Sequence, residues 1–124
     1  MIFDDKITIF QGMYKKRIIT KRLKYLSDNF PAVVVSGARQ VGKSTLLGHI
    51  FPRMTSFVFD PVNDIAGARS DPDLFLDNYP APLILDEIQY APELVPALKR
   101  RIDQVKKNNM YILYGIIKRE KKSF

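Results

Sequence analysis

The chain has 124 residues, 46% of them apolar, and a net charge of +7. That length suits one domain with its own core, because domains centre on roughly 100–150 residues. Cysteine is absent and apolar runs such as 32–35 and 83–85 are short, which excludes a disulfide scaffold, a cysteine-ligated metal site and a membrane span. The first six residues carry Asp4 and Asp5 and lack the basic start and apolar stretch of a secretory signal, so the expected location is the cytoplasm.

From Met13 the chain reads as an amphipathic helix, with Tyr14, Ile18, Ile19, Leu23 and Leu26 towards one face. It is expected to stop near Asn29, because Pro31 disfavours helix in the residue before it. Ala32-Val33-Val34-Val35 follows, apolar and rich in β-branched residues, and predicts a buried parallel strand. A helix begins at Lys43-Ser44-Thr45, carries Leu46, Leu47, Ile50 and Phe51 at helical spacing, and stops at Pro52. Residues 55–59 form a second strand candidate. Asp71-Pro72 opens a short helix, with a capping side chain and proline at the first helical position. Residues 82–85 are a third strand candidate, ending in Asp86-Glu87. Pro92-Glu93 starts a helix whose Leu94, Val95, Leu98, Ile102 and Val105 recur on one face, and Lys106 and Lys107 suit the negative pole at its end. Tyr111-Ile112-Leu113 is the last strand candidate. This alternation of strand and helix is the pattern of crossover units and a parallel sheet.

Gly37-Ala38-Arg39-Gln40-Val41-Gly42-Lys43-Ser44 matches G-x-x-x-x-G-K-[ST] between a predicted strand and a predicted helix. Four fixed positions match by chance on the order of 10⁻⁵ per start position at average composition, so accident is a poor explanation. The glycines let the backbone fold into a cradle of amide hydrogens, and the helix that starts here turns its positive pole towards a phosphate. Lys43 is placed to reach the β- and γ-phosphates and the Ser44 hydroxyl to ligate Mg²⁺, with Thr45 completing the binding segment. Arg39 is left open between a phosphate or neighbouring-subunit contact and solvent.

The apolar strand ending in Asp86 and Glu87 supplies a second element at the carboxyl edge of the sheet, where ligands bind in open α/β folds. There the first acid holds Mg²⁺ and the second activates water. Asp60, closing another strand, is a weaker candidate for the magnesium shell. His49 lacks a second histidine or a cysteine and reads as a surface or packing residue. Tyr25, Tyr79, Tyr90, Tyr111 and Tyr114 share no spacing and read mostly as core and boundary residues rather than a base-stacking platform.

The segment from Ser36 to Leu47, then Phe59-Asp60-Pro61, then Leu83-Ile84-Leu85-Asp86-Glu87-Ile88-Gln89-Tyr90-Ala91-Pro92-Glu93-Leu94, resembles the N-terminal ATPase domain of a family of AAA-type ATP-binding proteins of archaea and bacteria. In that family a longer C-terminal domain of unknown function follows. The resemblance implies ATP binding by residues 37–44 with Mg²⁺, and catalytic roles for Asp86 and Glu87, with Lys43 on the transferred phosphoryl group. It implies a three-layer α/β P-loop NTPase-like fold, incomplete here at the C-terminus. Where the family has a γ-phosphate-sensing Thr after the last strand, this chain has Tyr114, followed by Gly115, Ile116 and Ile117. The resemblance therefore implies a frameshifted or prematurely stopped remnant. In AAA-type sheets the fifth strand lies beside the first, so its loss is expected to leave the strand before the phosphate loop with an open, aggregation-prone edge.

The expected organisation is an N-terminal extension at 1–13, with Met13 as an alternative start, a partial ATPase core at 14–117 and a basic tail at 118–124. Residues 99–124 hold nine basic and two acidic side chains, while the remainder holds eleven of each. Most such runs are solvated helix faces. The rival reading is a basic, non-catalytic module using the clusters at 15–24 and 99–122 to hold nucleic acid or a partner, and a third is a remnant without function. The leading expectation is Mg-ATP binding with weak or absent hydrolysis alone, in a protein that forms a homo-oligomer or works with the missing C-terminal domain.

Overall fold

A computed structural model describes residues 7–11, 16–36 and 43–115. Five strands form one parallel sheet: β1 (Ile7–Gln11), β2 (Ala32–Ser36), β3 (Thr55–Val58), β4 (Leu83–Asp86) and β5 (Tyr111–Gly115). Their spatial order is β1-β2-β5-β4-β3. The helices are α1 (Lys16–Asn29), α2 (Lys43–Ile50), α3 (Pro72–Asn78) and α4 (Leu94–Val105), with single 3₁₀ turns at Ile65–Gly67 and Ile88–Tyr90. Every helix and strand expected from sequence is present, with small shifts at the ends. The expected helix start at Met13 and the tail at 118–124 lie outside the described residues.

Side chains alternate across the three inner strands, and that alternation creates the layers. Ala32 and Val34 of β2, Leu83 and Leu85 of β4, and Tyr111 and Leu113 of β5 face a core shared with Phe75 and Leu76 of α3 and Leu94, Leu98 and Ile102 of α4. Val33, Val35, Ile84, Ile112 and Tyr114 face the opposite core, closed by Ile19, Leu23 and Leu26 of α1 and Leu47 and Ile50 of α2. A 14-residue helix such as α1 is marginal in isolation. Its three buried apolar side chains, each contributing about 1.5–3 kcal/mol, hold it in place.

Local chemistry sets the helix ends. Asp71 caps α3 by accepting from the Leu74 amide at 3.2 Å, and Pro72 occupies the first turn. Arg100 to Asp73 at 3.1 Å and Arg101 to Asp77 at 2.7 Å tie α4 to α3. Exposed pairs of this kind contribute about 0–1 kcal/mol, so the packing of Phe75 and Leu76 against α4 outweighs them. Phe57 adds edge contacts to Phe75 and Tyr79, with ring centroids 5.0 and 4.6 Å apart. Lys106 ends α4 in the left-handed region, φ 55°, with its amide on the Ile102 carbonyl.

One expectation is corrected here. The edge of β2 is not open: β1 runs parallel along its full length, from Ile7 opposite Ala32 to Gln11 opposite Ser36. Residues 7–11, assigned from sequence to an extension outside the core, thus occupy the position that the resemblance gives to a fifth strand. The backbone groups of β2 are paired on both sides, with β1 and with β5. Removing residues 1–11 is expected to lower the unfolding temperature and make the chain self-associate, measured by thermal melts and light scattering. An unchanged melt of a monodisperse chain would mean that β2 does not depend on this cover.

Candidate functional site

The carboxyl ends of β2 and β4 and the start of α2 carry those expected residues that are described. β2 ends at Ser36 and α2 starts at Lys43; the motif residues between them in sequence, Gly37, Ala38, Arg39, Gln40, Val41 and Gly42, lie outside the described residues. Lys43, Ser44 and Thr45 form the first turn of α2. Asp86 closes β4 in register with Tyr114 of β5, and Tyr114 is in register with Val35 of β2. Asp86 therefore lies level with the end of β2, two strands away, roughly 9–10 Å at ordinary strand spacing.

Asp86 is 3% exposed, and its Oδ1 accepts the backbone N–H of Glu87 at 2.8 Å. Its carbonyl accepts the Phe59 amide at 3.0 Å, which ties the end of β4 to the residue following β3. Glu87 leaves the strand in the left-handed region, φ 56° and ψ 42°. For a residue with a Cβ this costs on the order of 1–3 kcal/mol, and such strain gathers at functional sites. The turn persists because Ile88 beyond it is fully buried and the Ala91 amide closes on the Ile88 carbonyl at 2.9 Å. Gln89 Nε2 donates to Glu87 Oε2 at 2.7 Å. No buried side-chain nitrogen or oxygen among the described residues lacks a partner.

The other candidates separate. Asp60 accepts the amides of Asn63 at 2.6 Å and Val62 at 2.8 Å, which hold its carboxyl below the ordinary aspartate value, the Asn63 contact first. It stands at the carboxyl end of β3 and folds its own turn. Asp64 does the same for the amides of Arg69 and Ser70. His49 is exposed on α2, as expected of a surface residue. Tyr111 and Tyr114 are buried, whereas Tyr25 is 59% exposed on α1 and is no core residue. Tyr114, at the position of the family's sensor, packs into the core beneath α1 and α2.

Sequence reasoning passed over Gln89 and Gly115. The signal was a glutamine two residues after the second acid and a glycine ending a strand, neither of which carries a role without the third dimension. A depression of 370 Å³ lies at the opposite edge of the sheet, near Pro82 and Tyr111. Another, of 340 Å³, is shallow and lies on α1, lined by Ile18, Lys21, Arg22 and Tyr25. Neither touches Asp86 or Glu87.

A strand, phosphate-loop sequence and helix beside a buried carboxylate two strands away define a P-loop nucleotide-binding domain of the AAA type. The chain belongs to the family described as AAA domain, whose model matches residues 29–118. Two uncharacterized proteins, one from Mycobacterium bovis and one from Mycobacterium tuberculosis, are each 28% identical over 104 residues, 83% of this chain and 24% of theirs. The chain thus spans about a quarter of the length of these curated relatives. No solved structure matches it. Membership of the AAA-domain family supports nucleotide binding as the class of function, and no helix among the described residues is long and apolar enough to cross a membrane.

Relieving the backbone strain tests the turn directly. Glu87→Gly is expected to stabilise the fold by up to about 1 kcal/mol in denaturant unfolding, because glycine adopts positive φ without a Cβ penalty. A clear loss of stability would mean that the Glu87 side chain contributes more than its backbone costs.

Proposed function

We propose that this domain binds Mg-ATP at the carboxyl edge of the sheet and hydrolyses it weakly when alone. The observation that carries the reading is the register of Asp86 with the end of β2 across β5, which sets a buried carboxylate opposite the start of the phosphate-loop sequence.

The motif at 37–44 would offer its backbone amides to the phosphates, and the positive pole of α2 would add to their field. Lys43 stabilises the transferred phosphoryl group. The Ser44 hydroxyl and the Asp86 carboxylate are the residues that would hold Mg²⁺; both donors are oxygens, as this cation prefers, and such sites use one or two carboxylates together with substrate phosphates. Bound there, Mg²⁺ would supply positive charge against the developing charge of the transferred phosphoryl group. The Glu87 N–H holds Asp86 through its Oδ1, which orients the carboxylate. Glu87 accepts a proton from the attacking water. Catalysis of this kind is positioning and electrostatics. Adenine as the base rests on the family alone. An arginine supplied by a second copy or a further domain contributes ~10³–10⁵ in rate at such sites, which is why turnover by this chain alone is low.

A second reading rests on α1. Tyr25 is exposed, the Arg22 guanidinium stands 6.0 Å from its ring centroid, and Lys21 and Ile18 border the same depression. An exposed aromatic face among cations suits a stacked base and its phosphate. On this reading the domain is a basic module that holds single-stranded nucleic acid, and α1 carries the contact.

Two measurements separate the readings. Thermal unfolding with Mg-ATP at about 100 times its dissociation constant is expected to show roughly 2.7 kcal/mol of added stability in the wild type and none in Lys43→Ala. An equal response in both sinks the phosphate-loop reading. A gel shift of single-stranded DNA at two salt concentrations is expected to weaken steeply with salt and in Arg22→Ala or Tyr25→Ala, while Lys43→Ala leaves it intact. Retardation that survives the α1 substitutions excludes α1 as the surface.

A further inference from the structure

We propose that Gln89 is a positioning residue for Glu87, and that Gly115 is glycine because the Gln89 carboxamide occupies the space its side chain would fill. The inference rests on the base role proposed above for Glu87.

Three observations meet at one point. Gln89 Nε2 donates to Glu87 Oε2 at 2.7 Å, a contact between residues only two apart that the left-handed turn at Glu87 makes possible. On the far side of the carboxamide, a Cβ at position 115 would stand 2.2 Å from Gln89 Oε1, 3.3 Å from its Cδ and 3.2 Å from the backbone nitrogen of Ile88. Gly115 has no positive φ, so its backbone conformation is open to any residue and what the position needs is empty space. Gly115 ends β5, the strand between β2 and β4, and Ile88 is locked in the core. The carboxamide is thus seated between a rigid strand end and the proposed base.

This arrangement has a chemical consequence. The terminal torsion of a glutamate is broad and restrains the carboxylate poorly by itself. An N–H held on Oε2 fixes the plane of the group. Misplacement of a reacting group by 1 Å costs about 10²-fold in rate, so the effect falls on turnover and not on nucleotide affinity. The two positions act as a unit: a methyl group at 115 pushes the carboxamide aside, and once Gln89 is shortened that methyl group meets no carboxamide.

The test is single-turnover phosphate release from Mg-ATP, with nucleotide affinity and thermal melts measured beside it, for the wild type, Glu87→Gln, Gln89→Met, Gln89→Ala, Gly115→Ala and the double variant of the last two. Gln89→Met keeps the length of the side chain and adds no charge but removes the donor, so a packing role would survive it. The expected result is a loss of about 10- to 100-fold in rate for Gln89→Met with affinity and melt unchanged, a similar loss for Gly115→Ala, and a much smaller further loss when Gly115→Ala is added to Gln89→Ala. A wild-type rate in Gln89→Met, where Glu87→Gln abolishes release, overturns this inference and leaves the base role standing. So do losses from Gln89→Ala and Gly115→Ala that simply multiply. A wild-type rate in Glu87→Gln, or no release by the wild type at all, overturns the base role and the positioning role together.

Discussion

The seating of β5 between β2 and β4 is the constraint on which the rest of the molecule depends. Tyr111–Gly115 pairs with β2 on one side and β4 on the other, so the backbone groups of three buried strands are satisfied in one continuous ladder. That seating spaces the phosphate-loop strand from the carboxylate strand and brings Val35, Tyr114 and Asp86 to one level. It also decides what each face of the sheet must bury, because a shift of β5 by one residue would exchange Ile112 and Tyr114 with Tyr111 and Leu113. The two helical layers are consequences of this alternation.

Stability and chemistry pull in different directions at the end of β4. The fold tolerates a left-handed glutamate there because Ile88 and the short 3₁₀ turn that follows are anchored in the core. A less costly backbone would carry Glu87 elsewhere. Placing both acids at the sheet edge from adjacent positions requires the chain to turn sharply between them, and the Asp86 carboxylate stabilises the turn by accepting the Glu87 amide. The strained residue and the buried acid are therefore parts of one local structure.

The edges of the sheet show how a parallel α/β domain manages exposed backbone. β3 is an edge strand with largely exposed side chains, paired on one side by β4. β2 is a buried strand, and without β1 it would present an apolar ladder to solvent. A short N-terminal segment can take that place because a parallel edge strand needs matching backbone groups more than a particular sequence. For an AAA-domain family member matching about a quarter of the length of its curated relatives, this cover gives the P-loop strand a partner within the chain itself.

The sequence by itself determined the alternation of strand and helix, the phosphate-loop motif at 37–44 and the paired acids at 86 and 87, because each is encoded in residues adjacent along the chain. Hydrophobic runs, proline stops and the Asp71 cap act over a few positions, and they placed α3, α4 and the inner strands within a residue or two. Ile7-Thr8-Ile9-Phe10 also has the composition of a strand, yet nothing nearby says which strand it joins, and only the tertiary structure set it against β2. The same holds for Gln89 and Gly115, twenty-six residues apart in the numbering and in contact at the sheet edge. Tyr25 and Tyr114 both read from sequence as core or boundary residues, and burial separated them, one exposed on a helix and one sealed in the core. Local patterns name the elements because backbone propensity and periodicity are short-range. Register, edges and side-chain contacts are long-range, and they exist only once the sheet has closed its ladder.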